Sequence, residues 1–295
     1  KPDGFHEDNF AHKLANFCYQ LSTNDNNAIG VIGVKPFASR ALVDVSTWIG
    51  KLPTSDTVTG EITVDGSGLL GNKFMAGSVD TAAGFFATAS QFLDDDEILL
   101  DRNEKQIDIG KYLSIVVSWP VFFNSFDANG FGYIASGAAI YGGLISTLQS
   151  KSAPTNKVVS KFIQLPFRLS NTKLDRLASV KYVTFQTKDR GVVVVTADTA
   201  ATSASDYQRL TTVRIVFDAI DNVRRVADPY IGEAQTAAQR AALKSQIDRE
   251  LSTMQKTGFL RRFNSSVTAT PNQQIRGEMQ VELNLVPAFE TRHIP

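Results

Sequence analysis

The feature that most constrains the fold is a run of periodic apolar residues in the last third of the chain. Apolar side chains recur every three or four residues from Leu210 to Val223, and again from Leu243 to Met254. That spacing puts them on one face of a helix, so each run predicts a helix with one buried face. From Glu278 to Leu285, apolar and polar residues alternate strictly, which is typical of a strand with one buried face and one wet face. The pattern therefore predicts two long helices packed on a small sheet.

The ends of these two helices carry their own signals. Asp206 or Ser205 can cap the first helix from about residue 207, because a side-chain oxygen there can accept from the unpaired amides of the first turn. The second helix is predicted to begin at the capping box Thr236-x-x-Gln239, and Gly258 suits the left-handed residue that ends it. The signals place the helices over about 207–228 and 236–257.

The first half of the chain alternates predicted helices and strands. The uncharged run Ala28–Val34 follows a predicted helix over 8–21, which is typical of a strand buried in a parallel or mixed sheet. The segment 112–123 is the strongest other strand signal, and Pro120 marks its end or an edge. Further predictions are helices at 39–49, 82–93 (helical or mixed) and from about 134, and strands at 61–64 and 162–165. The sequence thus predicts an α/β (α+β) protein, with a mixed-sheet sandwich domain before the domain of two helices on a small antiparallel or mixed sheet.

The charge balance argues against nucleic acid as the main partner. Thirty basic and thirty acidic residues give a formal net charge of zero, whereas proteins that grip phosphates carry a basic surplus. A neutral chain also has little self-repulsion, which is compatible with dense packing against copies of itself. Cys18 is the sole cysteine, so no intrachain disulfide can form, and a small buried residue on the first helix is predicted.

One uncharged stretch, Ala128–Ser150, is long enough to raise the question of a membrane span. Its five glycines and its hydroxyl side chains keep the mean apolarity low. The stretch therefore predicts a buried, close-packed helix, and no membrane insertion is expected.

Three local motifs imitate ligand sites. Gly66-x-Gly68-x-x-Gly71 fits the dinucleotide fingerprint, but no amphipathic helix begins at its third glycine, so a flexible loop is favoured over a nucleotide site. Asp127-x-Asn129 imitates the start of a calcium loop, yet Ala138 stands where the bidentate glutamate must be. The run Asp94–Glu97 could attract a divalent cation, but consecutive carboxylates in an extended chain diverge, and a solvated loop is favoured. No cofactor and no metal site are predicted.

The histidines exclude the commonest hydrolase chemistry. The chain has three, His6, His12 and His293, and a subtilisin-type triad needs one between an aspartate and a serine from separate elements. No histidine lies between 12 and 293, so no catalytic residue is assigned and the chain is not expected to be an enzyme.

The order of elements after residue 174 resembles the C-terminal domain of contractile tail sheath proteins of phages and related injection machines. Six pieces carry the resemblance: Leu174-Asp175-Arg176-Leu177 before Val180-Lys181-Tyr182-Val183, then Arg190-Gly191-Val192-Val193-Val194-Val195, Ser205-Asp206-Tyr207 with Arg214, Gly258-Phe259-Leu260, and the closing strand Val281-Glu282-Leu283-Asn284-Leu285-Val286-Pro287-Ala288-Phe289-Glu290. The resemblance rests on the order of these six pieces over roughly 120 residues.

The first half is similar to the preceding domain of the same family, which is called subtilisin-like for its fold. The matching features are Ala28–Val34, Trp48, Ser118-Trp119-Pro120 and Gly132–Gly137. The family's tryptophan-lysine-alanine-proline signature is not recognisable in Lys151–Leu165, which suggests a distant member of the phiKZ giant-phage type. The resemblance implies a non-catalytic subtilisin-like α/β domain at 1–152, a connector at 153–172 and a sheath C-terminal domain with a terminal arm strand at 173–295.

The resemblance implies a structural subunit of a contractile tail sheath. Such a subunit assembles with itself into hexameric rings and a helical lattice, contacts tail tube, baseplate and tail terminator proteins, and contracts to drive the tube through the host envelope. It works in the virion tail after assembly in the bacterial host cytoplasm, without a cofactor. In sheaths, terminal arms complete the sheets of neighbouring subunits by strand addition, and the segments here would lie beyond Pro287 and before Asp8.

The predicted interface residues follow from this resemblance and from the helix surfaces. They are Met279, Val281, Leu283, Leu285 and Phe289 on the closing strand and arm, and Arg209, Arg224, Asp248 and Glu250 on the charged faces of the paired helices. A solvated helix surface is the simpler interpretation of the four charged residues. Two rival functions stay open: a nucleotide-binding α/β enzyme that uses Gly66–Gly71, and another virion structural protein of the tube or baseplate.

Overall fold

The computed structural model describes most of the chain outside one long internal segment. The described residues are 7–24, 26–33, 107–118, 120–123, 132–134, 136–160, 163–165, 171–179, 181–202 and 205–290. Their contacts divide the chain into two compact units. The N-terminal unit comprises residues 1–148 and 153–210, and the C-terminal unit comprises 149–152 and 211–295. The elements predicted at 39–49, 61–64 and 82–93 lie outside the described residues.

The N-terminal unit mixes short strands with helices, as the alternation of patterns predicts. Its helices are α1 (Glu7–Thr23), α2 (Gly137–Thr147) and α3 (Asn171–Ser179), with a 3₁₀ turn at Gly110–Tyr112. Its strands are β1 (Gly30–Gly33), β2 (Leu113–Val116), β3 (Val121–Phe123), β4 (Gly132–Ile134), β5 (Val158–Ser160), β6 (Ile163–Gln164), β7 (Tyr182–Val183), β8 (Phe185–Lys188) and β9 (Gly191–Val194).

A parallel sheet in the order β1-β2-β7 lies at the centre of this unit. All four residues of β2 are buried, as expected for a strand covered on both faces. The strand predicted at 28–34 in a parallel or mixed sheet is present as β1, which pairs in parallel with β2 from Gly30↔Leu113 to Gly33↔Val116. Gly30 and Ile32 are buried, whereas Val31 and Gly33 are half-buried. The strand predicted at 112–123 is two strands, β2 and β3, in different sheets, and Pro120, which has no amide hydrogen, lies between them.

Two antiparallel sheets complete the N-terminal unit, in the orders β4-β3-β6 and β5-β9-β8. The segment 153–172, predicted as a connector with one strand, carries both β5 and β6. Its strands pair within the N-terminal unit, since Val158 lies opposite Val193 and Ile163 opposite Phe122. The contacts thus group residues 153–210 with the N-terminal unit, although the predicted domain boundaries fall at 152 and 172.

Helix α2 occupies the uncharged stretch that imitates a membrane span. It covers eleven residues from Gly137, and the side chain of Ser136, which caps it, accepts from the Ala138 amide. The helix buries Gly137 and Tyr141 but exposes Ala139, Gly143, Ser146 and Thr147, so it is only partly the buried helix that the sequence predicts. The close approach needs Gly137, because a Cβ there would lie 2.5 Å from the Ser118 carbonyl oxygen. Among the described helices, none is both long and apolar enough to cross a bilayer.

The C-terminal unit contains the two predicted long helices. They are α4 (Leu210–Ala227) and α5 (Ala237–Lys256), and they are followed by β10 (Leu260–Thr268), α6 (Pro271–Arg276) and β11 (Gln280–Pro287). One half of the predicted capping box is present, since the Thr236 side chain accepts from the Gln239 amide at 3.1 Å, but the Thr236 amide donates to the Ala234 carbonyl rather than to the Gln239 side chain. Gly258 has the predicted left-handed φ, at +80°. Helix α4 begins at 210 rather than 207, because Tyr207 instead lies in a turn, where its amide donates to Ser205 Oγ.

The apolar stripes of both helices face one core together with β10 and β11. The buried members of this core are Ile215, Ala219, Val223, Leu243, Ile247, Leu251, Met254 and Leu260. The predicted class, two long helices packed on a small antiparallel sheet, is therefore confirmed.

Candidate assembly surface of the C-terminal unit

The sheet of the C-terminal unit consists of β10 and β11 alone among the described residues. The two strands are antiparallel, from Leu260↔Pro287 to Thr268↔Gln280. Each strand uses one edge for this pairing, so the opposite edge carries backbone amides and carbonyls without a strand partner in the described part of the chain. Such an edge is a ready template for a strand from another chain.

One face of this sheet packs against the hydrophobic core of the C-terminal unit. Met279, Val281, Leu283 and Leu285 are half-buried and pack against that core, while Gln280, Glu282 and Asn284 are exposed. The alternation predicted from the sequence is therefore present. The four apolar interface candidates thus pack against the core that α5 shares, and their side chains do not form the exposed face of the sheet.

A β-bulge changes the exposed surface at the start of β10. The register shifts between Leu260 and Arg262, so Arg261 is an extra residue in the strand. Both arginines are exposed as a result, although adjacent strand residues normally point to opposite faces. The sequence carries one signal that is compatible with this bulge, the two consecutive arginines in a strand that otherwise covers an apolar core.

Exposed apolar side chains lie near the ends of the same sheet. Val286 is 41% exposed and Phe289 is 53% exposed just beyond β11, and Ile275 on α6 is 85% exposed. The Ala288 amide donates to the Phe259 carbonyl at 2.9 Å, so the chain follows β10 for one more residue before Phe289. The predicted interface residue Phe289 thus lies beside the open-edged sheet.

The four charged interface candidates fall in different places. The backbone of Arg209 pairs with the backbone of Asp198 in an isolated antiparallel β-bridge. This bridge lies in the N-terminal unit, before α4 begins. Arg224 lies 3.9 Å from Asp221 on α4. Glu250 is half-buried on α5. Arg209 thus belongs to the N-terminal unit, and the other three residues belong to the C-terminal unit.

Asp248 ties α5 to the sheet. It accepts from Lys244 Nζ at 2.6 Å and from the Ser265 hydroxyl of β10. Partial burial by itself would raise the pKa of this carboxyl, but the two hydrogen bonds and the charge of Lys244 outweigh it and hold the pKa below its ordinary value. Asp248 therefore acts on the stability of the unit that carries the sheet.

An open groove lies between α4 and the end of α5. Its volume is about 340 Å³, and it is lined by Asp218, Asp221, Asn222, Arg225, Thr253, Met254, Thr257 and Phe259. The two threonine hydroxyls donate to helix carbonyls, Thr253 to Arg249 and Thr257 to Thr253. Among the lining residues, neither threonine hydroxyl hydrogen-bonds to a side chain that could act as a base.

The described residues hold no cluster of three or more histidine, cysteine, aspartate or glutamate side chains that could bind a metal. Cys18 is buried on α1 as predicted, and burial raises the pKa of its thiol. His6 and His293 lie outside the described residues, as do Gly66–Gly71, Asp94–Glu97 and Asp127–Phe131.

Solved structures provide the comparison that decides the fold. The sequence itself matches no protein-family model and no curated protein. The anti-feeding prophage (AFP) helical sheath in its contracted state aligns with 88% of this chain at a TM-score of 0.55 and 15% identity, over 74% of that chain. The PVC sheath complex of an extracellular contractile injection system, also contracted, aligns with 63% at a TM-score of 0.54 and 14% identity. A chain of the AFP baseplate aligns with 63% at a TM-score of 0.54 and 16% identity.

The fold is that of contractile sheath proteins. The resemblance predicted from the order of elements after residue 174 is thereby confirmed at the level of the fold, and the phiKZ lineage stays a prediction. This chain spans about half the length of the baseplate and PVC chains, 53% and 55% respectively. In the C-terminal unit, β10 and β11 each have one edge that pairs with no other strand among the described residues, and the outer strands of the three-stranded sheets do so as well.

Proposed function

We propose that this chain is a structural subunit of a contractile sheath, which polymerises around a tube and contracts to drive it through a target envelope. The observation that carries the proposal is the fold shared with the AFP helical sheath over 88% of the chain. Its partners would be further copies of itself in stacked rings, hexameric in the simplest case, together with tube, baseplate and terminator proteins. Its location would be the tail of a virion or of a related injection machine, after assembly in the bacterial cytoplasm.

The C-terminal sheet supports this proposal physically. A contractile lattice must keep its subunits connected while the packing between them changes. Strand addition at the free edges of β10 and β11 supplies such a connection, because its strength comes from backbone hydrogen bonds and its register from alternate side chains. A terminal arm from another copy, beyond Pro287 or before Asp8, would pair there, and Val286 and Phe289 would be covered.

The proposed division of the chain into domains follows from its resemblance to sheath proteins. A non-catalytic subtilisin-like domain would precede the connector, and the sheath C-terminal domain would start near residue 173. The paired helices α4 and α5 are proposed as the layer that faces the lattice and the tube. The proposal needs no cofactor, since the energy of contraction would be stored when the lattice assembles.

A baseplate component is the second candidate. It is favoured by one observation, the alignment with a chain of the AFP baseplate at a TM-score of 0.54. The two roles differ in polymer length, because a baseplate protein closes into a ring, whereas a sheath subunit adds ring upon ring.

Electron microscopy of the protein at high concentration tests the proposal. We expect hollow tubes of stacked rings. Single closed rings that never stack would favour the baseplate role. If the protein stayed monomeric under all conditions and bound nucleotide in a thermal-shift assay, the sheath role would be replaced by the nucleotide-binding alternative.

A further inference from the structure

The two ends of the C-terminal unit carry exposed charges of opposite sign. Helix α5 connects these ends, and its 20 residues span about 30 Å. Where α5 stops and β10 begins, Lys256, Arg261 and Arg262 are exposed and form no ion pair with any described residue. The start of β10 is fixed in position, since Gln255 Nε2 donates to the Arg261 carbonyl at 2.8 Å. This surface is termed the basic end.

The carboxylates near the basic end do not cancel its charge. Glu290, which follows β11, is half-buried. The neighbouring groove adds Asp218 and Asp221, but two cations of the same helix match them in number, Arg225 in the groove and Arg224 at 3.9 Å from Asp221. The exposed cations at the start of β10 therefore remain in excess and would attract an anionic surface, because opposite charges attract.

The opposite end of the C-terminal unit exposes mainly carboxylates. It consists of the loop before α5 and the segment around α6 and the start of β11, and the Gln235 side chain donates to the Glu278 carbonyl to join the two. The exposed acids here are Glu233, Glu278 and Glu282, and Arg276 is the exposed cation. The first turn of α5 lies beside this surface, and the unpaired amides of a helix start also favour negative charge. This surface is termed the acidic end.

Both ends also expose large apolar side chains. Ile231 and Ile275 are 80% and 85% exposed on the loop and helix of the acidic end, and Val286 and Phe289 are exposed at the basic end. These are four of the five exposed large apolar side chains in the described part of the chain; the fifth is Phe17. Apolar side chains that lie exposed among charged residues are typical of a surface that another protein covers.

We propose that the basic end of one copy binds the acidic end of a second copy, a contact that rests on the proposed function. The charges of the two ends are complementary, both ends are exposed, and hydrogen bonds within the unit position each of them. Because the ends are different surfaces of one chain, the contact is head-to-tail and generates a ring or an open polymer rather than a closed pair. An added strand would follow the edges of the same sheet, so both kinds of contact can coexist.

Charge exchange between the two ends tests this contact. In the Arg261→Glu/Arg262→Glu variant the basic end becomes acidic, and in the Glu233→Lys/Glu278→Lys variant the acidic end becomes basic. Each variant alone should associate at least about tenfold more weakly than the unmodified chain in sedimentation velocity at low salt, because like charges then meet. An equimolar mixture of the two should regain the association, since each end of one variant meets the opposite charge on the other.

The matched control is Lys157→Glu/Lys188→Glu, which makes the same change of charge on exposed residues of the N-terminal unit and should associate as the unmodified chain does. Circular dichroism checks that each variant folds, and Arg261→Gln/Arg262→Gln, with a smaller loss expected, replaces one that does not. A mixture that stays dissociated, an equally weakened control, or an unmodified chain that remains monomeric would overturn the inference. Salt-sensitive association without tubes would contradict the sheath role alone, whereas normal tubes from each charge-reversed variant would contradict only this contact.

Discussion

The negative charge of Asp248 stabilises the C-terminal unit because two hydrogen-bond donors contact its carboxylate. It receives hydrogen bonds from Lys244 on the same helix and from Ser265 on β10. Its pKa is held below the ordinary value, so its folded form binds a proton less readily than its unfolded form. The stability it contributes is therefore present above the unfolded pKa, about 4, and is lost as the pH falls through the lower folded pKa.

We expect Asp248→Asn to lower the free energy of unfolding at pH 7 by about 0.5–1 kcal/mol, a modest cost because the side chain is partly solvated. Urea denaturation at pH 7 and at pH 3 measures it, and the difference from the unmodified protein should shrink at pH 3. Glu250→Gln on the same helix is the matched control. A difference of the same size at both pH values would contradict the role of the charge.

In the N-terminal unit, the Asp108 carboxylate also accepts hydrogen bonds that hold two segments together. Its carboxylate accepts from the Gly110 amide at 2.9 Å, the Thr202 amide at 2.9 Å and the Thr202 hydroxyl at 3.1 Å. Burial raises the pKa of this carboxyl, against the opposing effect of the hydrogen bonds. The folded state therefore holds the proton more tightly, and the contribution of this group to stability declines as the pH rises through the folded pKa.

Replacement of Asp108 by alanine leaves two backbone amides without an acceptor. We expect the free energy of unfolding to fall by about 2–3 kcal/mol in urea denaturation, since each unsatisfied buried donor costs about 1–3 kcal/mol. Asp175→Ala, on the exposed face of α3, should change it by less than about 0.5 kcal/mol. Equal effects of the two substitutions would show that the Asp108 hydrogen bonds do not hold residues 108–110 to Thr202.

At the scale of elements, α5 provides the support for the open-edged sheet. Ile247 is fully buried in the core of the C-terminal unit, and the neighbouring Gln246 is exposed. Ile247→Ala should destabilise the unit by about 2–5 kcal/mol through lost contacts and a cavity, whereas Gln246→Ala should be nearly neutral. Thermal unfolding followed by circular dichroism measures both. If Ile247→Ala left the unfolding temperature unchanged, α5 would not hold the sheet.

The terminal arm is the element on which assembly is expected to depend. Truncation after Pro287 keeps every residue of β11 and removes Phe289, so the monomer should retain its circular dichroism spectrum. Polymer formation, measured by sedimentation and electron microscopy, should be lost, because the segment proposed to reach a neighbouring copy is gone. Phe289→Ser in the full chain tests the apolar contact alone and should reduce assembly less. Normal polymers from the truncated chain would place the connecting strand elsewhere.

The sequence predicted elements best where one physical signal acts alone. The stripes of α4 and α5, the Thr236 cap and the left-handed Gly258 are local signals, and all are present in the structure. The strands within 112–123 and 153–172 were predicted less accurately, because the pairing of short apolar runs depends on residues that are far apart in the sequence. Val121 lies opposite Gln164, and Val158 lies opposite Val193. Local periodicity does not encode those partners.

The candidate surface was predictable only in part for a similar reason. Alternation in β11 predicts which side chains face inward, but it does not say whether the strand edge is free. Helix α6, with its capping box Thr270 and Gln273, separates β10 from β11, and that box is readable in the sequence between two strand signals. The hydrogen bonds from Lys188 and Arg190 to Asn156 join residues more than thirty positions apart in the sequence. Local sequence signals therefore do not predict them.

At the scale of the whole molecule, a subunit of a contractile sheath must pack into two different lattices with one fold. Rigid units joined by added strands can pack in an extended and in a contracted arrangement, and the change between them does the mechanical work. Cryo-electron microscopy of tubes from the full-length protein, before and after mild treatment with heat or urea, measures this most directly. We predict two helical lattices that differ in length and diameter, with β10 and β11 extended by strands of neighbouring copies in both. A single unchanging lattice, or a two-stranded sheet with bare edges inside the polymer, would contradict the account.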